Sequence, residues 1–185
     1  HFTDATASSG LGDPGFTLGV CGGDIDNDGD IDLYATHFDG KNVLWLNNGN
    51  AAFTDRASEA GLYAVARNMD VVLPFDEDND GLTDVYVGAS ESGSLNDRKD
   101  VLLRNTGGNP PRFVDVTDAA AMYPTTQDGT GICGATVDEF YCDRDASAGG
   151  VLDWLGDGAL DVFVTGADPD FLQRGSDFLW ENERN

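Results

Sequence analysis

The sequence predicts an all-β protein of propeller-type blades, each made of short antiparallel strands. About three blades fit in the 185 residues, with an N-terminal strand out of phase with the blade it precedes. Three observations carry this expectation. The chain repeats itself, its apolar runs are short and rich in β-branched and aromatic residues, and Gly or Asn-Gly separates them. No helical period longer than two turns can be placed, except over the short Ala-rich stretch 116–122.

The repeat consists of three marks in fixed order. An acidic loop leads into an apolar run: DIDNDGDIDLYAT (24–36), DEDNDGLTDVYVG (76–88) and DWLGDGALDVFVT (153–165). A β-rich run then closes on Asn: VLWLNN (43–48), VLLRNT (101–106) and FLWENE (178–183). Phe-x-Asp with a turn comes last: FTDATASSGL (2–11), FTDRASEAGL (53–62) and FVDVTDAAAM (113–122). A unit of about 50 residues with several short strands is the signature of a propeller blade.

Taken in order, the single array 1–185 divides into a closing strand at 1–11, a blade at 19–62 and a blade at 69–122. An insertion at 123–147 and an incomplete blade at 148–185 follow. The order of the marks matters. LWENERN at the C-terminus followed by HFTDATASSGL at the N-terminus reproduces LWLNNGNAAFTDRASEAGL of the first blade with a small gap. In a closed propeller, such a phase shift lets the first strand complete the last blade. Three blades are fewer than propellers use. The expected partners are therefore the rest of a longer propeller, or other copies of the chain joined head to tail by strand exchange. The chain opens at His1 with neither Met nor an apolar leader, which reads as a mature or excised product.

Charge narrows the function. With 34 Asp and Glu against 10 Lys and Arg, the net charge is −24. Such a field repels nucleic acid and anionic membrane surfaces and attracts cations. No apolar run is long enough for membrane insertion by a helix. Disorder would need few aromatic and β-branched residues, and this chain has both in regular runs.

The acidic loops explain the charge. Calcium takes six to eight oxygens, and a short loop supplies them when alternate side chains converge and a Gly allows a sharp turn. In the first loop Asp24, Asp26, Asp28 and Asp32 stand at the first, third, fifth and ninth positions, Gly29 turns the chain, and Asp30 offers its carbonyl. The second loop repeats this with Asp76, Asp78, Asp80 and Asp84, Gly81 at the turn, and Leu82 by its carbonyl. The third keeps Asp153, Asp157 and Asp161 but has Leu155 at the third position, so it is expected to be weak or empty. Two complete calcium sites and one degenerate site follow. The twelfth position, where an EF-hand needs a bidentate Glu, is Ala35, Val87 or Val164.

These loops resemble the FG-GAP/VCBS repeats of integrin-α-type propellers, in which D-x-D-x-D-G-x-x-D lies between the first two strands of a blade. The flanking LNNGNAAFTDRASEAGL is closest in style to the repeats of cartilage acidic protein and UnbV-type proteins. The resemblance covers nearly the whole chain apart from 123–147. It implies an extracellular, seven-bladed, calcium-binding propeller used for adhesion or scaffolding, with ligands at 24–32 and 76–84. Leu155 and the presence of only about three blades depart from that pattern.

Catalysis is not expected. There are two His, no GxSxG and no Cys/His pair, and the obvious carboxylates are committed to metal. His37, just past the first loop's strand, reads as a blade-surface residue. The leading expectation is a non-catalytic extracellular or cell-surface calcium-binding protein for adhesion, scaffolding or surface assembly, with an extracellular protein or glycan as a further partner. The alternative is a carbohydrate-binding lectin using Trp45, Trp154 or Trp180, whose other reading is packing. A propeller-based polysaccharide-active enzyme comes last. Cys133 and Cys142 are spaced for a short disulfide loop, the other reading being two free thiols. Cys21 reads as a small buried hydrophobe, with an intermolecular bridge as its alternative.

Overall fold

Short alternating runs become three antiparallel sheets in the computed structural model, which describes residues 1–12, 15–63, 69–89, 100–117, 119–120, 145–167 and 178–182. The first sheet runs β1 (Thr17–Gly23), β2 (Asp32–His37), β3 (Val43–Asn47) and β4 (Phe53–Asp55) in sequence order. The second repeats the order with β5 (Met69–Phe75), β6 (Asp84–Ala89), β7 (Val101–Asn105) and β8 (Phe113–Asp115). The third has three strands: β9 (Asp145–Leu152), β10 (Asp161–Ala167) and β11 (Phe178–Trp180). The register sets Gly23 opposite Asp32, Phe75 opposite Asp84 and Leu152 opposite Asp161. Each acidic loop is therefore the hairpin between the first two strands of a sheet.

The sheets stack face to face, with β1 beside β5 and β5 beside β9. Strand periodicity assigns each residue to one face. In the second sheet Val85, Val87, Val101 and Leu103 meet Cys21, Tyr34 and Leu44 of the first. Tyr86 and Leu102, on its other face, meet Val162 and Val164 of the third. Burial on both sides is why β6 reads as a continuous apolar run rather than an alternating one. Each such side chain contributes about 1.5–3 kcal/mol. Gly19 allows the first interface to close, since a Cβ there would stand 2.7 Å from the Asp70 carbonyl oxygen. Beside it, Thr36 Oγ1 donates to the Met69 carbonyl at 2.5 Å.

The turn after Phe-x-Asp is a single helical turn, α1 (Thr6–Ser9) at the N-terminus and α2 (Ala57–Ala60) after β4. Gly10 at φ 81° and Gly61 at φ 83° end them. Ala57, Ala60 and Leu62 then plug the first interface. The Ala-rich stretch gives only a turn over its described residues.

Three expectations meet different outcomes. Residues 1–5 form no strand in this chain, because a lone strand has no ladder of its own. His37 is not a blade-surface residue: it ends β2 almost wholly buried, its N–H held by Asn42 Oδ1 at 3.0 Å under the turn to β3. Cys21 is a buried free thiol, with burial pushing its pKa up to about 12. The Cys133–Cys142 bridge lies outside the described residues, as does the insertion up to residue 144, and β9 begins at Asp145 within the stretch expected to be inserted.

Candidate metal centre

The first-position carboxylate wraps each loop. Asp24 Oδ1 accepts the Asp28 N–H and Oδ2 the Gly29 N–H, both at 3.0 Å. Asp76 does the same with Asp80 and Gly81 at 3.1 and 2.9 Å, and Asp153 with Asp157 and Gly158 at 3.1 and 3.0 Å. The loop must turn through left-handed backbone twice. Asn27, Asn79 and Gly156 take the fourth position at φ 62°, 61° and 71°, and the sixth is Gly at 96°, 88° and 83°. Asn and Gly are the residues that tolerate this region. The third loop keeps the shape without the third-position carboxylate.

The ninth-position carboxylate ties the loop to the sheet. Asp32 Oδ2 accepts Ile25 N–H at 2.9 Å and Asp26 N–H at 3.3 Å, while Oδ1 accepts Asn47 N–H at 2.8 Å. Asp84 joins Glu77 N–H and Asn105 N–H, each at 2.7 Å, and Asp161 joins Trp154 N–H and Asn182 N–H, each at 2.8 Å. These three carboxylates are buried.

Two triads converge among the described residues. Asp24, Asp26 and Asp28 bring carboxylate oxygens within 4.8 Å of one another, as do Asp76, Asp78 and Asp84. Asp153, Asp157 and Asp161 form no such triad. The side chains of Asp30 and Leu82 leave their loops, Asp30 toward Gly49 and Leu82 toward Gly107. Asp80 Oδ1 is taken by the Leu82 N–H at 2.8 Å.

The electrostatics fit a cation. Burial, then the charges of Asp32, Asp28 and Asp24, push the Asp26 carboxyl up to about 6. Burial raises Asp84 to about 6 against the N–H bonds of Asn105 and Glu77, and burial also raises Asp32. These groups resist ionising while no positive charge is near. Asp26 Oδ1 is buried with no hydrogen-bond donor, which a cation would satisfy. An all-oxygen donor set selects a hard ion. The loops also differ in a neighbouring charge. Arg104 Nε lies 3.1 Å from Asp78 Oδ2 and its guanidinium 2.7 Å from Glu77 Oε2, whereas the first sheet has Leu46 at that position.

One set of residues was given no role by sequence: the Asn closing each third strand. Each amide donates to its own loop, Asn47 Nδ2 to Ile31 O at 3.1 Å, Asn105 to Thr83 O at 3.2 Å and Asn182 to Leu160 O at 3.5 Å. Asn105 Nδ2 also reaches back to Ile25 O at 2.9 Å, and Asn182 Nδ2 to Glu77 O at 2.8 Å. Each thus clips its blade to the second residue of the preceding loop. The signal was the Asn shared by VLWLN, VLLRN and FLWEN.

Residues 24–87 match the model of the FG-GAP-like repeat. The chain carries an FG-GAP-like repeat. The matched segment starts at the first loop, crosses the interface between the first two sheets, and ends in β6. It therefore contains both triads. A search of curated proteins finds no significant match.

Proposed function

We infer that the chain is a non-catalytic, calcium-binding scaffold that works outside the cell, in adhesion or surface assembly. The observation that carries this reading is the pair of convergent carboxylate triads, with the buried donorless Oδ1 of Asp26 in the first. Calcium is the hard cation that suits a flexible all-carboxylate loop, since magnesium keeps its water and demands an octahedron. Asp24, Asp26 and Asp28 would hold one ion, Asp76, Asp78 and Asp84 the other. A bound ion would supply the positive charge that offsets the repulsion among the carboxylates. The protein's own part is to fix the loops, through Asp32 and Asp84, as braces between strands. No helix among the described residues is long and apolar enough to cross a membrane.

Calorimetric titration of metal-free protein tests the reading, with two calcium ions expected per chain. At a Kd of about 0.1 mM, millimolar calcium adds about 1.4 kcal/mol of stability per site. A melting temperature unchanged in excess chelator would sink it.

A lectin role has one observation in its favour. Trp45 is buried and Trp180 half-buried in packing clusters, but Trp154 is exposed. Glycan-array binding lost on Trp154→Ala would support it.

A further inference from the structure

The eighth position of each acidic loop differs: Ile31 in the first, Thr83 in the second and Leu160 in the third. Only Thr83 carries a hydroxyl, and that hydroxyl reaches out of its own sheet. Thr83 Oγ1 donates to the Asp24 carbonyl of the first loop at 2.8 Å, across 59 positions of chain. Its methyl group lies at the root of the same loop. A Cβ on Gly23 would stand 3.6 Å from Thr83 Cγ2 and 3.5 Å from Pro74 Cβ. The first two hairpins therefore touch at their roots.

The backbone of Thr83 is tied as well. Its carbonyl accepts from Asn105 Nδ2 at 3.2 Å, and the same amide donates to Ile25 O at 2.9 Å. Asn105 N–H in turn donates to Asp84 Oδ1, and Glu77 N–H to Asp84 Oδ2, each at 2.7 Å. Asp24 belongs to the first triad and Asp84 to the second. Two short routes thus run between the triads. One passes from the Asp24 carbonyl through the Thr83 hydroxyl to Asp84, the next residue. The other passes from the Ile25 carbonyl through Asn105 to the Asp84 carboxylate. Asn105 and Asp84 are 1% and 0% exposed, so water has little access to compete for this second route.

The third loop has one route and not the other. Asn182 Nδ2 reaches Glu77 O at 2.8 Å, as Asn105 reaches Ile25, but Leu160 has nothing to donate to the Asp76 carbonyl. Among the described residues, the doubled link joins only the two loops whose carboxylates converge.

We propose that Thr83 is a positioning residue that couples the two acidic loops, so that filling one raises the affinity of the other for calcium. The inference rests on the calcium reading above and adds that its two sites are cooperative. An ion at the first triad would fix Asp24, whose carbonyl then holds Thr83 and with it the closing arm of the second loop, residues 82–84. That arm is already ordered when the second loop fills, so less conformational entropy remains to be lost. The coupling is reciprocal, the second loop preparing the first by the same factor. Charge acts the other way, because a filled loop attracts the next cation less. Salt screens that effect, to about 8 Å at physiological ionic strength, and leaves the bonded link in place.

Calorimetric titration of the full chain at about 0.15 M salt tests the proposal. Asp26→Asn closes the first loop and gives the second loop's own affinity; Asp78→Asn does the converse. Wild type should bind two calcium ions, the second at least ~5-fold more tightly than those separate affinities require. Thr83→Val should remove that excess, and Thr83→Ser, which keeps the hydroxyl, should restore it. A role in stability alone would weaken folding or both affinities without changing the excess. Hydrogen exchange gives a second readout. In Asp78→Asn, calcium at the first loop should slow exchange of the Glu77 and Asn105 N–H groups, and adding Thr83→Val should abolish the slowing. Two ions bound independently overturn the coupling and leave the calcium reading standing. Coupling that survives Thr83→Val overturns the part given to Thr83. No binding of calcium at all overturns both readings. Should Thr83→Val fail to fold, Thr83→Ala takes its place, and the wild-type steps against the two single-site variants still decide.

Discussion

Asn105 donates its Nδ2 hydrogen to the carbonyl of Ile25, 2.9 Å away and 80 positions earlier in the chain. Ile25 lies between Asp24 and Asp26 of the first triad, so one amide couples that acidic loop to the next blade. The same amide bonds Thr83 O beside the second loop. Asn105→Ala leaves two carbonyls without this donor and should cost about 1–3 kcal/mol in urea unfolding. It should also weaken calcium binding at the first loop, although Asn105 is no ligand. Calorimetry showing unchanged affinity at both sites would separate the clip from the metal.

Asp32 and Asp30 stand two residues apart with different tasks. Asp32 is buried and accepts three backbone N–H groups, whereas Asp30 turns outward beside Gly49. Asp32→Ala strands those donors and should destabilise the protein by about 3 kcal/mol or more, with or without calcium. Asp30→Ala should stay within about 0.5 kcal/mol. Denaturant melts in chelator make the comparison, and equal losses would contradict the assigned roles.

Arg104 sets the second loop apart from the first. Its guanidinium binds Asp78 and Glu77, and a cation entering that triad meets its charge. Arg104→Leu, the counterpart of Leu46, should tighten the second site about 3- to 10-fold, allowing for screening of these half-exposed groups. The first site should not change. A titration in which the second site weakens would show that Arg104 holds the loop open for metal rather than competing with it.

Cys21 supplies a pH signature away from the triads. Burial raises its thiol from an ordinary 9.0 to about 12, so the folded chain keeps a proton that the unfolded chain releases. That difference contributes fully below pH 9 and is lost as pH rises toward about 12. Stability should therefore fall over this window. In native protein at pH 8, alkylation of the Cys21 peptide, followed by mass spectrometry, should be slow and accelerate only on unfolding. Rapid native alkylation would refute its burial.

The strands, their grouping into blades, and the turns at Gly29 and Gly81 were legible in the sequence, because each depends on chemistry within a few residues. Of the expected ligand sets, Asp24, Asp26 and Asp28 converge, as do Asp76, Asp78 and Asp84. Asn47, Asn105 and Asn182 were visible as a pattern but had no meaning until two sheets were brought together. His37 was misread because its burial comes from the turn folded over it, through Asn42, and not from its neighbours in β2.

The turn of each Asp-rich loop is determined by sequence: Asn27 and Gly29, like Asn79 and Gly81, permit its left-handed backbone. Which carboxylates converge was decided only by tertiary structure. The second triad takes Asp84 where the first takes Asp28, although the two loops share their spacing. The same holds for the faces. Val20 and Val72 occupy equivalent positions, yet one is exposed and the other buried. A residue's own chemistry makes it fit for an interface, but burial requires a neighbouring sheet, which only the assembled chain can supply.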